Sequence, residues 1–132
     1  MNTPRPRARR AGLAVLLSCA VLLPAQATAA IVDIAWSPDG RFVHQAQVAA
    51  GKFVELCGPL AQGEAVRWRY EASAPVDFNI HYHAGKDVVF PTRQAQVSAG
   101  RDILKVVVPQ DYCWMWTNKG SVSVSLTVEL QR

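Results

Sequence analysis

Catalytic and metal-binding signatures are scarce in this 132-residue sequence. Only three cysteines occur, Cys19, Cys57 and Cys113, and none belongs to a C-x-x-C motif, so no motif supports a thiolate nucleophile or a cysteine metal site. HExxH, a serine-centred nucleophile elbow and a glycine-rich phosphate loop are also absent. A histidine could act as a general base beside Asp77, but no pattern supplies a nucleophile or an oxyanion hole. The sequence therefore predicts a protein that is not an enzyme.

Helical periodicity is missing after residue 29, where no helix-length stretch carries apolar residues at helical spacing. Apolar and polar residues alternate instead, most clearly in residues 65–71, 76–83 and 121–130. In 76–83 the even-numbered apolar residues are predicted to point inward and the odd-numbered polar residues outward. This pattern is typical of half-buried strands. We predict an all-β fold, an antiparallel β-sandwich of six to eight strands formed by residues 30–132 as one domain.

Turn-forming residues separate these alternating stretches, because proline and glycine favour the backbone angles of tight turns. Five segments are predicted to turn the chain: SPDG (37–40), CGPLAQGE after Cys57 (57–64), SAP (73–75), HAGKD (83–87) and SAGRD (98–102).

The first 29 residues have the three-part pattern of a secretory signal peptide. Four arginines precede an apolar stretch, 11–23, that is too short to span a bilayer comfortably. Small residues at Ala27 and Ala29 predict cleavage before Ala30. Cys19 loosely resembles the cysteine of a lipoprotein box, so a lipidated form is the alternative. The expected location is periplasmic or secreted, with no integral membrane span in the mature chain.

No excess of either charge remains once this segment is removed. The whole sequence has 14 basic and 10 acidic residues. Four of the basic residues and none of the acidic residues lie in 1–29. The mature part contains no basic run either, so no nucleic-acid partner is expected. The partner is instead expected to be a protein or a small ligand.

Two cysteines, Cys57 and Cys113, remain in the mature part. A pair of cysteines in a small exported domain is typical of one disulfide. The two cysteines lie 56 positions apart, and closing a loop of that length stabilises a fold by roughly 4 kcal/mol in the chain-entropy model. We predict a Cys57–Cys113 disulfide.

Tyr112, Trp114 and Trp116 alternate with smaller residues in the stretch DYCWMWTN, 111–118. Large aromatic side chains beside a disulfide are typical of the core of a small sandwich. The alternative is that the tryptophans form a platform for a ligand.

His81 and His83 lie two positions apart on a predicted strand, so their side chains emerge on one face roughly 7 Å apart. Neutral imidazoles suit copper, zinc or nickel, and an exported compartment favours copper. His44 or Met115 would then be a further ligand, since a stable site needs three or four. The other interpretation is a polar strand face whose two imidazoles simply meet solvent.

Three segments together resemble the Golgi-dynamics (GOLD) domain, a β-sandwich of cargo-receptor ectodomains: VELCGPLAQGEAVRWRY, VDFNIHYHAGKDVVFP and YCWMWTN. In that family an early cysteine before a polar turn pairs with a late cysteine between aromatic residues, and Cys57 and Cys113 match these positions. The sequence also resembles small exported bacterial proteins of unassigned function that share FNIHYH and YCWMWTN.

The resemblance implies a binding sandwich and not a trafficking role, because no coiled-coil stem or membrane span follows the last strand here. We expect an exported, non-catalytic binding or accessory module of GOLD-like type, and the alternative is a periplasmic copper-binding protein. No cofactor other than copper or zinc is expected.

Overall fold

A computed structural model describes residues 30–132, which form seven strands and no helix. The expected all-β fold of six to eight strands is therefore confirmed. The strands are β1 (Ala30–Asp33), β2 (Arg41–Val48), β3 (Phe53–Leu60), β4 (Ala65–Ala84), β5 (Asp87–Lys105), β6 (Gln110–Thr117) and β7 (Val124–Gln131). The predicted signal peptide and Cys19 lie outside the described residues. Within the described range, no helix is long and apolar enough to cross a membrane.

The long hairpin of β4 and β5 joins the two halves of one curled sheet. The first part of β4 pairs with β5 on one side and with β7 on the other, and β7 pairs with β2. These strands form a four-stranded half. The second part of β4 pairs with β5 and with β6, β6 pairs with β3, and β3 pairs with β1, which gives a five-stranded half. All of these pairings are antiparallel except that of β1, which runs parallel to β3.

The predicted turns at 37–40 and 83–87 are present, and the turn predicted within 57–64 lies at 61–64, because 57–60 still belong to β3. The amide of Gly40 donates to the carbonyl of Ser37 at 2.9 Å, which closes the first turn. Gly85 begins the two-residue turn between β4 and β5 with a φ of 63°, the positive angle that a type II′ hairpin turn needs at this position.

The other two predicted turns are wrong, because 73–75 lies inside β4 and 98–102 lies inside β5. Pro75 falls where β4 stops pairing with β7 and before it pairs with β6, and the register with β5 also shifts between Glu71 and Val76. A proline without an N–H is tolerated where the ladder is interrupted in this way.

The core lies between the two halves of the sheet and is rich in aromatic side chains. Phe78 contacts three of them, with ring centroids 4.8 Å from Tyr70, 4.9 Å from Trp68 and 5.2 Å from Trp116. Trp114 and Trp116 are completely buried. These two tryptophans therefore pack the core, where burial of a large apolar side chain contributes about 1.5–3 kcal/mol, and they are not an exposed platform.

The predicted disulfide between Cys57 and Cys113 is confirmed. The two residues lie directly opposite each other on β3 and β6. The bond consequently links neighbouring strands of the five-stranded half, on the side of that half that faces away from the core.

Candidate functional site

A group of polar side chains lies on the outer face of the five-stranded half, beside the disulfide. His81 is opposite Cys113, which is opposite Cys57, so the histidine and the disulfide share one row across three strands. Asn79 and Glu55 occupy the next row, on either side of Met115. Alternation along each strand puts all of these residues on the face that points away from the core.

His81 points outward, as the alternation predicts, but its expected exposure to solvent is wrong. Only 7% of its surface is accessible, whereas His83 is exposed. The physical reason is the irregular pairing of β5 with β4 between Ile80 and Tyr82, near which the Phe90 ring lies 5.7 Å from the His81 ring. His81 is thus covered by the neighbouring strand.

Both ring nitrogens of His81 have partners. Nδ1 lies 2.8 Å from Asn79 Oδ1, and Nε2 lies 3.0 Å from Glu55 Oε1. When Nδ1–H donates to Asn79, a neutral imidazole presents an unprotonated Nε2 to the carboxylate, and that contact then needs a proton or a cation. Burial lowers the pKa of His81; the Glu55 carboxylate opposes this effect and His83 adds to it.

The residues that sequence analysis singled out as metal ligands are only partly brought together. The His81 and His83 rings are 5.5 Å apart, edge to face. Met115 lies on the same outer face, opposite both Glu55 and Asn79. His44 lies elsewhere, on β2 of the four-stranded half, where it stacks on Phe42 at 6.1 Å.

The donor group that the structure does assemble contains Glu55, His81 and Cys113, whose ligand atoms lie within 4.8 Å of one another. The Cys113 sulfur belongs to the disulfide and is not a thiolate, which leaves a carboxylate and an imidazole as donors. Sequence analysis missed Glu55, since only the register of β3, β6 and β4 places it beside His81.

Next to this group lies a surface that we call the hairpin patch: His83, Val88, Phe90 and Arg93. Val88 is 41% exposed and lies opposite His83 in the hairpin. The Arg93 guanidinium stacks 3.4 Å above the centre of the half-buried Phe90 ring. An exposed apolar residue and an aromatic ring thus adjoin a positioned cation near the tip of the longest hairpin.

A concave surface lies on the outer face of the four-stranded half. We call it the arginine groove and define it by Arg67, Arg69, Glu71, Arg101, Ile103 and Glu129, which line two adjoining depressions, the larger of about 460 Å³. Glu129 accepts hydrogen bonds from Arg69 at 2.8 Å and, on its other oxygen, from Arg41 of β2 at 3.0 Å. The hydrogen bonds from Arg69 are the main reason that the pKa of Glu129 lies below its ordinary value.

The sequence matches no protein-family model and no curated protein. Solved structures are similar in fold. The periplasmic g-type lysozyme inhibitor PliG of Aeromonas hydrophila is 13% identical, with a TM-score of 0.52 over 79% of this chain and 98% of its own. A PliG mutant from Escherichia coli is 10% identical, with a TM-score of 0.55 over the same shares of both chains.

The Yersinia pseudotuberculosis-derived mitogen is 9% identical, with a TM-score of 0.55 over 69% of this chain and 84% of its own. At these identities the similarity concerns the fold alone, and the similar proteins carry different functions. The comparisons thus show that this chain has a small all-β fold also found in periplasmic inhibitor proteins.

Proposed function

We propose that this chain is an exported, non-catalytic binding module that engages a protein partner through the hairpin patch. The observation that carries this proposal is the group of apolar, aromatic and cationic side chains near the β4–β5 tip, in which Val88 is exposed and Arg93 stacks on Phe90. Its export is supported by the signal-peptide pattern of residues 1–29 and by the disulfide. The PliG proteins of similar fold are inhibitors of g-type lysozyme, which is likewise a protein-binding role.

The composition of the hairpin patch fits a protein interface. Aromatic residues and arginine are enriched at such interfaces, and they often carry most of the binding energy. Stacking on Phe90 already orders the Arg93 side chain, so less conformational entropy is lost when a partner binds. The Glu55–His81 pair lies beside the patch on the same face and joins side chains of β3 and β4 at 3.0 Å.

The surroundings of His81 support a non-catalytic role. Both ring nitrogens are engaged by Asn79 and Glu55, and the nearest sulfur is held in the disulfide. A histidine that acts as a general base needs a free nitrogen within reach of a nucleophile or a substrate proton. The GOLD-like resemblance remains a prediction that agrees with a binding sandwich.

Site-specific photo-crosslinking in the exported protein tests this proposal. A photoreactive residue at His83 or Val88 is expected to give one discrete adduct, and Arg93→Glu should weaken partner binding at least about tenfold. Lys52, exposed before β3, serves as the control position. No adduct from the patch, or the same adduct from Lys52, would contradict the proposal. A g-type lysozyme is the first purified partner to assay, by inhibition of its activity.

A copper site is the second candidate function. It is favoured by the 3.0 Å separation of Glu55 Oε1 and His81 Nε2, which one bound ion could bridge, with His83 or Met115 near enough to complete the ligand set after side-chain rotation. The measurement is intact-mass detection of retained metal at micromolar copper. The proposal requires retention in the natural protein and its loss in the His81→Ala/His83→Ala variant. Equal retention by both proteins, or none by either, removes this candidate.

A further inference from the structure

On the outer face, the arginine groove has three arginines, Arg67, Arg69 and Arg101, and two glutamates, Glu71 and Glu129, in a mature chain that is neutral overall. Arg69 shares Glu129 with Arg41, so one carboxylate serves two guanidiniums. Within residues 30–132, neither Arg67 nor Arg101 has a carboxylate within 4.0 Å. The nearby Asp102 carboxylate instead accepts from the amide of Ile103 at 2.8 Å. Two guanidiniums are therefore free to bind an anion.

From this arrangement we infer that the arginine groove binds an extended acidic segment of a partner protein. Guanidinium groups pair with carboxylates through two parallel hydrogen bonds, which makes arginine well suited to recognise Asp and Glu side chains. Glu129 holds Arg69 in place without neutralising the free pair, so the cationic surface exists before a ligand arrives. This inference concerns the other half of the sheet and does not depend on the hairpin patch.

The spacing of the groove residues matches an extended peptide. Arg69 lies opposite Arg101, and two residues along the strands Arg67 lies opposite Ile103. Two residues of a strand span roughly 6.6–6.8 Å, which is also the repeat between side chains on one face of an extended peptide. A segment running along β4 would thus place one acidic side chain at Arg69 and Arg101 and its next same-face side chain at Arg67 and Ile103.

The apolar part of the groove favours a peptide over an anionic polysaccharide. Ile103 is 49% exposed and lines this surface beside Arg67. An aliphatic side chain of a peptide can cover Ile103 and remove this surface from water. A polysaccharide offers carboxylates but no aliphatic side chain. We therefore expect the bound segment to contain both acidic and aliphatic residues.

Fluorescence anisotropy tests this inference with the full mature protein. The probe is a labelled nonapeptide in which glutamates alternate with serines around one central leucine. Binding that weakens about tenfold in Arg101→Glu, and similarly in Arg67→Glu, is the expected result. Lys52→Glu makes the same charge change far from the groove and should bind like the natural protein. Thermal unfolding establishes that each variant is folded, and the two arginine variants provide independent readouts.

Three outcomes would overturn the inference. They are the absence of probe binding at millimolar protein, equal binding by Lys52→Glu and Arg101→Glu with both weakened, and equal binding of a probe whose leucine is replaced by serine. Full competition by polygalacturonate would assign the groove to anionic polysaccharides instead. Hairpin-patch crosslinking is scored separately, so failure of this inference leaves the proposed function standing, and failure of that function leaves this inference standing.

Discussion

At the scale of single residues, His81 and His83 of the same H-x-H motif differ in solvent exposure because they have different neighbours. The H-x-H pattern predicts two equivalent outward imidazoles, and the strand alternation is correct. Yet His81 is nearly inaccessible and bonded on both nitrogens, whereas His83 is exposed. The difference could not be read from the sequence, because Glu55 and Phe90 reach His81 only through strand pairing.

This difference predicts unequal stability costs. His81→Ala leaves the largely buried Glu55 carboxylate without its imidazole partner, and it is expected to lower the free energy of unfolding by about 1–3 kcal/mol. His83→Ala removes an exposed side chain and should change it by less than about 0.5 kcal/mol. Urea unfolding of the two variants measures both values. Equal costs would show that the Glu55 contact contributes nothing to folding.

Tyr70 predicts a loss of stability in alkali. Burial raises its pKa from 10.0 to about 12, and its hydroxyl lies 3.3 Å from Gln94 Oε1. Because the folded pKa is above the unfolded one, this contribution to stability is complete below pH 10 and is lost as the pH rises through 12. Absorbance at 295 nm, followed with circular dichroism, should show Tyr70 ionising late and together with unfolding. Tyr70→Phe should lack this late-ionising tyrosine and retain more of its structure at pH 11–12; an unchanged alkaline transition contradicts the assignment.

The β4–β5 hairpin is the element that builds both candidate surfaces. Its strands extend through 73–75 and 98–102, where proline and glycine predict turns from local preference alone. Local preference fails here because β4 is paired on both sides of 73–75, with β7 up to Ala72 and with β6 from Asp77, and because 99–102 of β5 pair directly with β4. By contrast, the alternation of 65–71 and 76–83 correctly identified the buried face, because successive side chains of a strand point to opposite faces and only one face is buried.

Gly100 in β5 is predicted to be required for space and not for backbone angle. A Cβ at this position would lie 2.7 Å from Tyr70 Cε1 and 3.2 Å from the Trp68 ring. Both rings are buried among other aromatic side chains and cannot move without disturbing them. Gly100→Ala should therefore destabilise the fold by about 1–3 kcal/mol through overpacking. Ser98→Ala, at an exposed position of the same strand, is the control in a thermal unfolding series, and equal melting temperatures would refute the close contact.

At the scale of the whole molecule, the positions of charged side chains and of candidate metal-ligand side chains cannot be read from the amino-acid composition. The mature sequence is neutral, but pairing of β4 with β5 and β7 brings Arg67, Arg69 and Arg101 together on one face, where Glu71 and Glu129 are the acidic residues. The fold class could be predicted because alternation of apolar and polar residues is a direct sign of half-buried strands. The disulfide could be predicted because the mature part has only two cysteines. Neither the arginine groove nor the Glu55–His81 pair could be predicted, since each combines residues of strands distant in sequence.

The Cys57–Cys113 disulfide is expected to stabilise the entire domain. Cys57 and Cys113 are already held opposite each other by the β3–β6 ladder, so the bond mainly restricts the unfolded chain across a separation of 56 residues. The Cys57→Ala/Cys113→Ala variant should keep its strand content and lose about 2–4 kcal/mol of unfolding free energy. Natural protein reduced with a thiol should lose the same amount, because both changes open the same loop. Urea denaturation with mass analysis of the thiols measures this. A loss below about 0.5 kcal/mol would mean that the unfolded chain keeps these two strands together without the bond.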